Sequence, residues 1–114
     1  MTLRTRIAAF IVGACAVAAL AVNDGFAAGS VTAGRQKALA CQACHGMDGK
    51  AKIPEAPNLA GQGDIYLVKA LKDYRSGARK NDMMSLVAPA LKDQDIDDLA
   101  AYYSAMEVSV EPPK

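Results

Sequence analysis

The chain has 114 residues, 13 basic and 12 acidic side chains, and a formal charge of +1. That balance offers neither nucleic acid nor an anionic membrane a basic face to bind. Trp is absent and the two Phe, Phe10 and Phe26, lie near the N-terminus, so the folded part must fill its core without either ring.

Arg4 and Arg6 give a short positive start, and Ile7 to Val22 is an apolar run of 16 residues without a charge. Asn23-Asp24-Gly25 breaks the run, and Gly25 and Ala27 put small residues at the −3 and −1 positions of a cut. The pattern predicts a secretory signal peptide over residues 1–27, with Ala28 as the new N-terminus. A membrane span needs roughly 20 apolar residues, which argues against an uncleaved anchor. Val12-Gly13-Ala14-Cys15 resembles a lipoprotein box, but the apolar run continues well past Cys15. Residues 28–114 then form a single domain of 87 residues with 11 basic and 11 acidic side chains. A domain that small often needs a staple or prosthetic group for stability.

Ser30 or Thr32 can cap a first helix running through Arg35, Lys37 and Leu39 into Cys41. There the chain reads Cys41-Gln42-Ala43-Cys44-His45, with the only histidine. C-x-x-C-H is the attachment pattern of a c-type haem. The two thiols add across the haem vinyl groups, and the next residue offers imidazole to the iron. A thioredoxin-like pair would need a βαβ setting, and no β-rich run precedes Cys41. Structural zinc needs four N or S ligands, and neither Cys nor His occurs after residue 45. Cys15 leaves with the signal, so both remaining thiols are committed to one covalent haem c. Export agrees with this, because c-type haem is attached outside the bacterial inner membrane; the expected location is the periplasm.

Gly46 to Gly63 reads as loop from its glycines, Pro54 and Pro57. Asp64 can cap a second helix with a stripe of Ile65, Leu67, Val68, Leu71 and Tyr74, ended by Ser76-Gly77. Arg79 to Pro89 reads as loop with one helical turn. A last helix from about Asp93 to Met106 carries Ile96, Leu99, Ala100, Tyr103 and Met106 at helical spacing. Its acidic start, Asp93 to Asp98, suits the positive end of the helix dipole. No segment alternates as a strand would, so the fold class is all-α: three to five short helices around one haem.

Met/His ligation suits electron carriers. Met47 is too close to His45 to reach the opposite haem face, and Met106 sits on the apolar stripe. Met83 and Met84 remain, and only one of two neighbours can face the iron.

Beyond the pentapeptide, Pro57-Asn58-Leu59-Ala60-Gly61-Gln62, Tyr66-Leu67, Asp73-Tyr74-Arg75-Ser76-Gly77 through Asn81-Asp82 to Met83-Met84, and Leu99-Ala100-Ala101-Tyr102-Tyr103 complete a pattern. It resembles the class I cytochromes c, in particular the small bacterial c-553 type and one half of dihaem cytochrome c4. The resemblance implies Met84, with Met83 as the alternative, as second axial ligand beside His45. It implies the Pro57 carbonyl as acceptor for the His45 ring. Asn58, Gln62, Arg75, Arg79 and Asn81 are candidate donors to the haem propionates, Arg79 and Gln62 foremost. Gly34 and Ala38 match the site where first and last helices cross, opposite Tyr102 or Tyr103. The family commonly has Ser or Thr where Lys92 stands, so Asp93 is expected to cap the last helix.

Six-coordinate iron has no position for substrate, so the expected role is not an enzyme's. The chain reads as a monomeric one-electron carrier between an upstream donor and a downstream acceptor, docking weakly at the haem edge near Lys50 and Lys52. Lys69, Lys72, Arg75, Arg79 and Lys80 form a second basic stretch. The alternatives are a tightly held haem-relay subunit of a periplasmic dehydrogenase and an open, gas-binding haem, which the methionine pair opposes.

Overall fold

The computed structural model describes residues 28–114; the expected signal peptide lies outside the described residues. Five helices follow in order: α1 (Val31–Lys37), α2 (Gln42–His45), α3 (Asp64–Ser76), α4 (Met84–Val87) and α5 (Asp93–Ser104). Turns of 3-10 helix at Ala38–Ala40 and Ala88–Ala90 extend α1 and α4. No strand occurs among the described residues, and none of their helices is long and apolar enough to cross a membrane.

Ser30 caps α1, its Oγ accepting from the Ala33 N–H at 3.2 Å. The helix then crosses α5 with almost no space between backbones. A Cβ on Gly34 would stand 1.9 Å from the Asp98 carbonyl oxygen and 2.7 Å from Tyr102 Cβ. Glycine is required there by proximity, and of the two tyrosines expected at this position it is Tyr102 that meets it. Around the crossing, Ala38, Leu67, Leu99, Ala100 and Tyr103 form the buried core. Each fully buried leucine contributes about 1.5–3 kcal/mol. Cys41, Met47, Leu59, Val68, Leu71 and Met106 pack half-buried against it, so the haem-attachment segment rests directly on the core.

Asp98 is the one charged residue inside this frame, at 2 % exposure. Its carboxylate accepts from the Ser30 N–H at 2.7 Å, Lys37 Nζ at 2.5 Å and Gln94 Nε2 at 2.9 Å. Lys37 also reaches Asp95 at 2.8 Å. The Lys37 hydrogen bond, and next the Ser30 amide, hold the Asp98 carboxyl down at about 2.

Three local expectations are corrected. Asp64 is the first helical residue of α3 and Gly63 is its N-cap; the Asp64 carboxylate turns to the Ile65 N–H at 2.8 Å. Ile65, expected on the buried stripe, is 83 % exposed, because the stripe that meets α5 runs through Leu67, Val68 and Leu71. At α5 the N-cap is Lys92, not Asp93. A lysine ammonium has no lone pair to accept a helix N–H, so only the return bond forms, from Lys92 N–H to Asp95 Oδ2 at 2.9 Å. Asp93 instead pairs with Arg75 Nη2 at 2.6 Å. Gly77, in the left-handed region at φ 82°, ends α3 where expected.

Candidate metal centre

Cys41 is the N-cap of α2, the single turn carrying Cys44 and His45. His45 N–H donates to the Cys41 carbonyl at 3.0 Å, closing the five residues into one turn. Gly46, at φ 72° and ψ 154°, then lets the chain leave at an angle an L side chain would resist. Both cysteines are half-buried free thiols. Burial, and then the neighbouring Cys44 charge, pushes the Cys41 thiol up.

His45 is 8 % exposed and its Nδ1 lies 2.9 Å from the Pro57 carbonyl oxygen. With a carbonyl as partner, Nδ1 must carry the proton, which leaves the Nε2 lone pair for a metal. Proline suits the acceptor position because its ring stiffens the loop that aims the carbonyl. The loop is braced on both sides. Ala51 N–H donates to Asn58 Oδ1 at 2.7 Å, and Leu59 N–H to the Gly49 carbonyl at 2.8 Å.

From α5, Tyr102 Oη–H donates to the Met47 carbonyl at 2.8 Å and Tyr103 Oη–H to the Gly46 carbonyl at 3.2 Å. These two phenols tie the last helix to the exit of the pentapeptide. Burial first, then the nearby Cys41, raises the Tyr103 hydroxyl far above its ordinary range, so it stays a donor. The sequence pattern puts Tyr102 or Tyr103 at the helix crossing and gives neither this bracing role. Adjacent tyrosines on an otherwise aliphatic stripe were the available signal, since a buried phenol needs an acceptor.

On the other side of the candidate site, α4 starts at Met84 with Met83 as its N-cap. Met84 is half-buried, whereas Met83 is 57 % exposed. Asn81 Oδ1 accepts from both methionine amides, each at 3.0 Å. Ser85 Oγ in turn accepts from the Asn81 N–H at 3.0 Å.

The propionate candidates divide by what they already hold. Asn58 and Asn81 brace backbone, and Arg75 donates to the Leu91 carbonyl at 3.0 Å as well as to Asp93. Gln62 makes one long bond, 3.4 Å, to the Asn58 carbonyl. Arg79 lies over the Tyr74 ring, 4.7 Å from its centroid, and meets the Tyr66 hydroxyl at 3.4 Å. Arg79 keeps the most unused N–H donors, Asn58 and Asn81 engage only their amide oxygens and keep both amide N–H donors, and Gln62 has already committed one of its two.

These residues fit a covalent haem. Two unpaired thiols flank a turn whose histidine has its second nitrogen fixed by a carbonyl. Among the described residues no cluster of three His, Cys, Asp or Glu could hold a bare ion. A bare-metal site would need such a cluster; a porphyrin brings four of the iron's ligands with it.

The comparisons with known proteins agree with this geometry. Residues 31–106 match the Cytochrome c family. Cytochrome c-554(548) of Halomonas halodenitrificans is 47 % identical over 83 residues, covering 70 % of this chain and 100 % of the relative. Cytochrome c4 of Pseudomonas aeruginosa is 45 % identical over 84 residues, 74 % of this chain and 42 % of the relative. The thiosulfate dehydrogenase electron acceptor of Stutzerimonas stutzeri is 44 % identical over 70 residues, 60 % of this chain and 32 % of the relative. The crystal structure of reduced cytochrome c4 from Pseudomonas stutzeri superposes with a TM-score of 0.67 at 42 % identity, covering 73 % of this chain and 48 % of that one. This chain thus spans less than half the length of those cytochrome c4 relatives and the whole of the cytochrome c-554(548) relative. An all-helical frame, a C-x-x-C-H turn on its core, and a family match across nearly the whole described region lead to one conclusion: the chain belongs to the cytochrome c family, with one haem c attached through Cys41 and Cys44 and held by His45.

Proposed function

We propose that this chain is a periplasmic, monomeric one-electron carrier between larger redox complexes, its iron closed by His45 and Met84. The observation that carries the ligand assignment is the contrast within the pair: Met84 is drawn inward and Met83 is 57 % exposed. When bound, haem supplies a one-electron iron couple whose potential a thioether ligand raises. The chain's own residues do the rest. The Pro57 carbonyl orients the imidazole, the two phenols hold the pentapeptide to α5, and α4 presents sulfur.

Charge placement supports docking near Lys50. Lys52 is partly neutralised by Asp48, 3.0 Å away. In the second basic stretch Lys69 pairs with Asp73 and Arg75 with Asp93, which leaves that region less positive than its sequence. The relative named as an electron acceptor for thiosulfate dehydrogenase favours a dehydrogenase among the upstream donors. It also keeps open the second reading, a relay subunit held by such an enzyme.

Potentiometry of the holoprotein and two variants tests the ligation. Met84→Ala is expected to lower the midpoint potential and admit added ligands, while Met83→Ala stays near the parent. The reverse assignment of those two effects contradicts the proposal.

A further inference from the structure

Two thioethers stand side by side at Met83 and Met84, and iron has no chemical means of preferring one. Both are long, pliable and equally soft. Successive residues of a helix differ by about 100° in direction, so a slip of one residue in this turn exchanges the sulfur that points inward. Packing against the rest of the chain does little to prevent the slip. α4 has no buried residue; Leu86 is 77 % and Val87 38 % exposed.

The C-terminal end of the turn is anchored. Ala88 is fully buried, and Arg75 Nη1 donates to the Leu91 carbonyl at 3.0 Å. At the N-terminal end the anchoring is by hydrogen bonds from two residues. Asn81 Oδ1 accepts from the Met83 and Met84 amides, Asn81 N–H donates to Ser85 Oγ at 3.0 Å, and Ser85 N–H donates back to the Asn81 carbonyl at 2.9 Å. A one-residue slip would break both bonds to Asn81 Oδ1 at once.

We propose that Asn81 and Ser85 are positioning residues that fix the register of α4 and so select Met84 over Met83 as the sulfur presented to iron. The inference rests on the reading that Met84 is the distal ligand, and it adds the device that makes the choice single. Asn81 acts through backbone amides and touches neither sulfur nor iron in this role. Its amide oxygen is thereby committed to α4, while its Nδ2–H donors are not part of the clamp.

The test uses ferric holoprotein and counts distal-ligand species by the paramagnetically shifted haem-methyl resonances. The parent and Met83→Leu are each expected to show one set. Loss of a helix-capping side chain shifts such equilibria by about tenfold, so Asn81→Ala should raise a second set by that factor. Asn81→Asp, which keeps the acceptor oxygen, should restore the single set. The double variant Asn81→Ala with Met83→Leu should also return to one set, because the competing sulfur is gone. Ser85→Ala, which removes one bond, should move in the same direction by less, and it stands in if Asn81→Ala does not take up haem. A single unchanged set in both Asn81→Ala and Ser85→Ala overturns the proposal. So does a second set that survives Met83→Leu. Failure of the underlying ligand reading looks different: Met84→Ala would then keep the parent spectrum whatever Asn81 does.

Discussion

The α1–α5 crossing and the α4 turn are secured in opposite ways. At the crossing, backbones meet with no room for a Cβ on Gly34, and the Asp98 carboxylate gathers three donors beneath the surface. Cys41 and Met47, which flank His45, lean on that frame and inherit its rigidity. The α4 turn buries no residue and depends on the hydrogen bonds of Asn81 and Ser85. Opening free energy within a fold ranges from near zero to the full stability, and segments with little burial lie at the low end. The histidine side is therefore the fixed reference of the site, and with Met84 as the proposed ligand the methionine side is expected to yield first on heating or in denaturant.

The largest expected effect comes from breaking the rigid half. Gly34→Ala forces the helices apart, because its Cβ would fall 1.9 Å from the Asp98 carbonyl oxygen. A loss of about 3 kcal/mol is expected, a large share of a small domain's stability, measurable by denaturant unfolding of the holoprotein. Parent-like stability would show that the crossing is not close-packed.

Asp98→Asn is the next step down, with an expected loss of about 1.5–3 kcal/mol, the worth of hydrogen bonds to a charged group. Its pH signature is specific. The folded-state carboxyl sits at about 2, below its ordinary 3.8. The stabilisation is thus complete above 3.8, declines as pH falls from there towards 2, and is gone below it. Unfolding followed between pH 5 and 2 should show a steeper loss for the parent than for Asp98→Asn. Parallel curves would remove Asp98 from the account. The smallest effect concerns encounter rather than structure. Lys50→Glu should slow electron exchange with an acidic redox partner several-fold at low salt and little at high salt, with stability unchanged. A rate independent of both charge and salt would rule out docking at Lys50.

Much of this contrast was legible in the residues. The C-x-x-C-H turn fixed the cofactor, glycine and proline punctuation marked the loop, and 3.6-residue periodicity found α3 and α5. The Pro57 carbonyl and the crossing at Gly34, opposite Tyr102 or Tyr103, came through the family pattern; in the structure the carbonyl lies 2.9 Å from His45 Nδ1, and a Cβ on Gly34 would fall 2.7 Å from Tyr102 Cβ. What escaped was decided by tertiary partners. Asp93 looked like a cap but is taken by Arg75, from eighteen residues earlier in the chain. Asp98 looked like one more acidic residue near a helix start, and only the arrival of Ser30 and Lys37 makes it a buried junction. Ile65 has the hydropathy of a core residue, yet the direction from which α5 packs leaves it outside. The Asn81–Ser85 clamp was within reach, since Asn and Ser four residues apart around a short turn are a capping pattern.

The proposed haem iron is closed on both faces, by His45 on the rigid side and Met84 on the clamped side. The most direct test is the absorption spectrum of the purified ferric protein at neutral pH, recorded before and after adding cyanide. Closed ligation should give a sulfur-to-iron charge-transfer band that disappears only slowly as cyanide displaces the thioether, and no high-spin features. A high-spin spectrum lacking that band, with immediate cyanide binding, would contradict it.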